Sequence, residues 1–145
     1  YTADRTTLVA YPTARETVEI LETVKTIGAG AFAGSKIKGI TLPTSVTEIG
    51  GEVFKECIAL ESIVIPEGVT NILDSTFGFC RSLKSITIPA TVTSIAGWAF
   101  NGCTNLTDVY YTGSEEDWEN ISVDYSYNTT LFDATMHYNY VPEEE

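Results

Sequence analysis

Pro43, Pro66 and Pro89 stand 23 residues apart, and Cys57, Cys80 and Cys103, the only cysteines, keep the same interval. Phe54, Phe77 and Phe100 share that phase, as do Leu60, Leu83 and Leu106, Val46, Val69 and Val92, and Ile49, Ile72 and Ile95. Ile40, Ile63, Ile86 and Val109 open successive units. A looser copy begins one residue short at Val18, with Leu21 in the proline position and Ser35 near that of the cysteine. A fixed period of this length marks a chain that coils and stacks on itself, because a lone unit cannot bury its apolar side chains.

One unit reads I-x-[LI]-P-x-x-V-x-x-I-x-x-x-x-F-x-x-C-x-x-L. The opening I-x-[LI] alternates as a half-buried strand does. Proline ends that strand, having no N–H for a ladder. V-x-x-I returns to the core as a second short extended piece. Small residues before the phenylalanine (Gly50–Gly51, Ala96–Gly97) fit a tight corner, and the three-residue steps from Phe54 to Cys57 to Leu60 suit a 3₁₀ or loose helical arc. Stacked units pair their strands in parallel, about 4.8 Å apart. The expected architecture is a repeat solenoid, mostly β with short helical or 3₁₀ turns, of about four coils of 22–23 residues between two caps. A single domain is expected over 1–145, with an N-terminal cap at 1–17, repeats at 18–109, a C-terminal cap at 110–141 and an acidic tail or linker at 142–145.

With 145 residues, 43 % of them apolar and 19 % charged, the chain can build a core without metals or disulfides. Twenty acids against eight bases argue against a nucleic-acid partner, whose phosphates need clustered Lys and Arg. The imbalance is concentrated: residues 85–145 carry ten acids and no Lys or Arg. No uninterrupted apolar stretch is long enough to enter a membrane. Tyr1 opens in polar sequence without an apolar leader, which is expected of a piece cut from a longer protein.

The strings TLPTSVTEIG, VIPEGVTNI, TIPATVTSI and AFNGCTNLTDV are similar to the I-P-x-x-V-T-x-I-G-x-x-A-F-x-x-C-x-x-L pattern of the BspA-like leucine-rich repeats of bacterial surface proteins. LVAYPTAR resembles that family's opening segment, and YYTGSEEDWENI and ATMHYNY resemble its closing segment. The chain departs from the pattern in its short first repeat, at Leu21 for proline, at Leu73 for glycine and at Thr76 for alanine. The resemblance implies a leucine-rich-repeat fold in a secreted or surface-anchored bacterial protein of the adhesion and interaction type, hence an extracellular or cell-surface location. Its partner would be a protein or glycan, such as a host matrix component or another cell surface. No catalytic residue and no cofactor is implied. A structural spacer that displays another domain is the alternative, and a carbohydrate-active enzyme is a third reading.

Features that invite chemistry have structural explanations. Cysteines one rung apart on a single column point the same way, which suits a buried, reduced ladder better than a disulfide. No C-x-x-C pair offers a zinc site. His137 lies in alternating sequence typical of an edge strand, without a nucleophile motif to use it. Glu115, Glu116, Asp117 and Glu119 could hold calcium, but Ser114 followed by Asp117 reads as a helix capping box, with Trp118 anchoring that helix. Six of the eight tyrosines fall at or after Tyr110, where they would cover the open end of the stack. Asn105, Asn120 and Asn128 each begin an N-x-[ST] sequon and are given no role.

Pleat geometry singles out one surface. In I-x-[LI] the middle residue points outward, so Thr41, Val64, Thr87 and Tyr110 form a column, with Glu61 and Lys84 beside it. These six residues are the candidate binding site, with no catalytic or metal-binding residue among them.

Overall fold

The computed structural model describes residues 1–143, which wind as a parallel β-solenoid. In chain order the strands are β1 (Thr7–Leu8), β2 (Thr26–Ile27), β3 (Glu48–Ile49), β4 (Ser62–Val64), β5 (Asn71–Ile72) and β6 (Ser85–Ile88). They continue with β7 (Ser94–Ile95), β8 (Asp108–Tyr111), helix α1 (Glu115–Glu119), β9 (Ser122–Val123), helix α2 (Thr129–Asp133) and β10 (Thr135–His137). The I-x-[LI] segments form one ladder, β4–β6–β8–β10, with Ile63, Ile86, Val109 and Met136 on successive rungs. The strand expected at Ile40–Leu42 shrinks to a single bridge between Gly39 and Ser62. Glycine there supplies no side chain to pack and loses most entropy on ordering.

Each proline starts a turn as its spacing predicts. The N–H groups of Val46, Val69 and Val92 donate to the carbonyls of Pro43, Pro66 and Pro89 at 3.1, 3.0 and 3.1 Å. Val24 donates to Leu21 in the same way at 3.0 Å, so leucine serves in the proline position of the first coil. The Phe-x-x-Cys-x-x-Leu arc is a run of three-residue turns, with Cys57 N–H on Phe54 O at 3.0 Å and Leu60 N–H on Cys57 O at 3.2 Å. At the corners the backbone turns left-handed: Glu56 and Phe79 have φ of 58° and 59°, in phase with Gly34 and Gly102. Gly102 is needed for a second reason, since a Cβ there would lie 2.5 Å from the Phe79 ring.

The V-x-x-I segments form a second ladder, and it is split into β1–β2–β3 and β5–β7–β9. The split coincides with Leu73. The equivalent residues Gly28, Gly50, Ala96 and Asp124 donate their N–H groups to the preceding coil at 2.8–2.9 Å. The coils pack so closely at Gly50 that a Cβ would fall 2.6 Å from Ala29 N. Leu73 N–H makes no such bond among the described residues, and no ladder joins β3 to β5 there. Leu73 itself is left 43 % exposed.

Between the ladders runs the core. Phe32, Phe54, Phe77 and Phe100 stack with centroids 5.6, 5.5 and 5.3 Å apart and nearly parallel planes. Tyr11 closes the N-terminal end of that stack at 5.1 Å from Phe32, its hydroxyl donating to Thr17 O. The cysteines are buried and unbridged, and each thiol has a partner. Cys57, Cys80 and Cys103 Sγ donate to the Phe32, Phe54 and Phe77 carbonyls at 3.1, 3.0 and 3.0 Å. Thr130 takes the same place in the closing segment, its hydroxyl donating to Phe100 O at 2.9 Å.

Burial pushes the Cys57 thiol up to about 11 and the Cys103 thiol up to about 12, so neither supplies thiolate at neutral pH. Native protein is therefore expected to resist thiol reagents at all three cysteines and to release them together on denaturation, as a dithionitrobenzoate assay would show. Rapid modification of one thiol in the folded state would contradict the buried ladder. Because Phe54 O, which also accepts from Cys57 N–H, offers the new hydroxyl a partner, Cys80→Ser should escape most of the cost of about 1–3 kcal/mol for an unpaired buried hydroxyl.

The closing segment covers the last coil. Tyr111 and Leu131 are buried, while Trp118 is half-buried and meets Tyr111 edge-on at 5.1 Å. The capping box on α1 forms: Asp117 N–H donates to Ser114 Oγ at 3.1 Å, and Ser114 N–H donates to Asp117 Oδ2 at 3.0 Å. These bonds hold the Asp117 carboxyl below the ordinary carboxylate range.

Candidate binding surface

The long ladder sets the register of the candidate column, with Val64, Thr87, Tyr110 and His137 side by side on β4, β6, β8 and β10. Thr41 is exposed but lies in no strand, for the reason given by Gly39. Val64 is 53 % exposed on the face, as the pleat requires. Glu61 and Lys84 stand at the strand starts and pair with each other at 3.5 Å, both largely in solvent. A pair so exposed adds little to stability, and each charge stays within reach of a partner.

Thr87 departs from the expected openness, being only 7 % exposed. It belongs to the outward column, but the face is roofed at this end by residues that follow β10. Tyr110 stacks on His137 at 4.5 Å and meets Tyr140 at 4.7 Å. His137 Nε2 donates to Asp108 Oδ1 at 2.8 Å, and this bond, with a second from Thr107, holds the Asp108 carboxyl below its usual range. Pro142 and Glu143, expected in a tail or linker, line a cleft of about 290 Å³ together with Thr41, Val64, Pro66 and Thr87. Glu144 and Glu145 lie outside the described residues.

Sequence periodicity located the column but missed Asp108, His137 and Tyr140, which complete its C-terminal end. Only the alternation in Ala-Thr-Met-His-Tyr-Asn-Tyr pointed to a strand there. Among the described residues no group of His, Cys, Asp and Glu is placed to hold a metal, and no helix is long and apolar enough to cross a membrane.

Short parallel strands at a 23-residue period, a stacked phenylalanine column and an outward ladder face define a leucine-rich-repeat solenoid. The sequence pattern of the BspA type leucine rich repeat region matches residues 11–130 in six copies, and the chain belongs to that family. The match runs past 18–109 into both flanks, where β1 joins β2, β9 joins β7 and β10 joins β8, so the flanks prolong the coil.

Among solved structures, the chain is similar to a leucine-rich cell surface protein from Faecalibacterium prausnitzii, with 35 % identity and a TM-score of 0.65. That match covers 81 % of this chain and 38 % of the other. A leucine-rich-repeat protein from Bacteroides ovatus matches at 31 % identity and a TM-score of 0.63, over 66 % of this chain and 27 % of the other. The leucine-rich-repeat protein of T. pallidum matches at 33 % and 0.61, over 63 % and 43 %. The chain thus spans less than half the length of each. No curated protein matches it significantly. The family and its fold are typically non-enzymatic, and leucine-rich-repeat domains generally mediate protein interactions.

Proposed function

We propose that the chain is a non-enzymatic binding module of a secreted or surface-displayed bacterial protein, which engages a protein or glycan through the long-ladder face. The observation that carries this reading is the outward column itself. Core positions repeat with little change from coil to coil, whereas the outward column changes from threonine to valine to tyrosine, and Val64, Thr87 and Tyr110 lie on neighbouring strands of one ladder. A rigid face with varied side chains is where a repeat protein acquires specificity. The likeness to a protein described as a cell surface protein supports the location.

Surface plasmon resonance against immobilised host matrix proteins and bacterial cell-wall glycans tests the proposal. Lys84→Glu combined with Tyr110→Ala is expected to weaken any interaction at least tenfold while the fold, followed by far-UV circular dichroism, stays intact. If binding survives those changes and is lost on altering Thr70 or Ser94, the partner uses the opposite ladder and the proposed face is wrong.

A further inference from the structure

Residues 138–143 do more than end the fold. Asn139 adopts φ of 54°, which turns the chain after β10. The N–H groups of Asn139 and Tyr140 then donate to Gly113 O at 2.8 Å and Tyr111 O at 3.0 Å. Tyr138 meets Tyr111 edge-on, Tyr140 lies over Tyr110, and Pro142 and Glu143 reach the cleft beside Thr87. This strap overlies the Tyr110 end of the column and leaves the Val64 and Thr41 end open. Beyond Tyr140 its hold is slight: Val141 is 81 % exposed, and among the described residues no hydrogen bond ties 141–143 to the face.

We propose that the strap Tyr138–Glu143 gates the long-ladder face, and that the partner displacing it is an extended peptide carrying an aromatic residue followed by proline. The proposal rests on the reading of this face as a binding surface and names the partner's chemistry. Three observations carry it. The strap shows that the face accepts a segment of chain in no helix or strand, with a tyrosine ring on Tyr110. The open part of the cleft is walled by Leu42, Val64, Pro66 and Pro89, with Glu67 and Glu143 as its acids and no base among its lining residues. Such walls suit aliphatic and proline side chains better than an anionic ligand. The column from Thr41 to Tyr110 spans three rung spacings, about 14 Å, a reach matched by four or five residues of extended chain. A partner that covers the whole column must lift the strap.

A tethered segment competes at an effective concentration near the millimolar range, so it suppresses a weak partner of its own kind. The test uses a fluorescein-labelled peptide with the sequence of residues 138–143, its ends blocked, titrated by fluorescence anisotropy into the full chain. Tyr140→Ala removes the ring that pins the strap, and the peptide is expected to bind this variant at least tenfold more tightly than the native chain. Adding Val64→Glu, which puts a charge in the cleft that Pro142 and Glu143 also line, should weaken that binding, while circular dichroism confirms an intact fold. Equal affinity for native and Tyr140→Ala protein would overturn the gate. Failure of the peptide to bind either would overturn the peptide class of partner; a larger partner still sensitive to Lys84 and Tyr110 would then uphold the face without the strap's role.

Discussion

Phe77→Ala is expected to destabilise the chain by about 3–5 kcal/mol, the range for truncating a fully buried phenylalanine. The Phe77 ring lies between Phe54 at 5.5 Å and Phe100 at 5.3 Å, and none of the three is exposed at all. Its removal opens a void in the middle of the stack, where coils on both sides lose a partner. In a repeat protein each coil is stabilised by its neighbours, so weakening one internal interface can uncouple the two halves. Against a total stability of about 5–15 kcal/mol, the loss is large. Urea unfolding provides a direct check, because both tryptophans, Trp98 and Trp118, lie C-terminal to the lesion. Tryptophan fluorescence then reports the C-terminal coils, and far-UV circular dichroism reports the whole. The two transitions should coincide for the native chain and separate for the variant. Phe77→Leu should cost markedly less, since most of the volume is kept. A loss for Phe77→Ala under about 1 kcal/mol would show that the stack is not central to the fold.

The phenylalanine stack, the proline turns and the ladder register were all legible in the sequence, because each depends on one residue type recurring at one interval. Leu21 and Ser35 were readable as substitutes for the same reason. What periodicity does not encode is the closing of the ends, where each solution is used once. Tyr11 finishes the ring stack from a segment whose one proline, Pro12, stands beside the ring and out of phase with the repeat. Trp118 was expected to anchor the cap, yet it is only half-buried beside Tyr111; alanine there should cost less than truncating a buried aromatic. Leu73 stood out as a departure from glycine, and the break in the second ladder beside it shows only in the coordinates. The column was legible as a direction, since the pleat fixes which residues face outward. Its burial at Thr87 was not, because that depends on where the strap crosses the face.

Asn128→Ala is the second change expected to have a large effect, and its residue is one that the sequence presents only as a sequon. In the inner coils, Phe32, Phe54 and Phe77 N–H groups donate to carbonyls of the following coil, at Val53, Thr76 and Ala99. Phe100 has no such carbonyl, and the Asn128 side chain replaces it: Oδ1 accepts from Phe100 N–H at 3.0 Å. The amide of the same side chain donates to Ala96 O at 2.9 Å and to Asp124 O at 2.7 Å. Asn128 is fully buried, so water cannot take over these bonds, and glycan attachment is blocked in the folded chain. Alanine strands one buried donor and takes a donor from two acceptors; at about 1–3 kcal/mol for a group left unsatisfied, a loss of about 2–5 kcal/mol follows. Asn128→Asp separates the roles, since it keeps the acceptor for Phe100 and places a carboxylate against two carbonyls. Burial and those carbonyls would raise the aspartate's folded pKa above its unfolded value. Its stability should therefore be greatest below the ordinary carboxylate pKa and fall as pH rises from there through the raised folded value. Hydrogen exchange at the Phe100 amide is the most local readout, and it should accelerate strongly in Asn128→Ala but much less in Asn128→Asp at low pH. Unchanged protection of Phe100 in the alanine variant would mean that the last coil is closed by something other than this side chain.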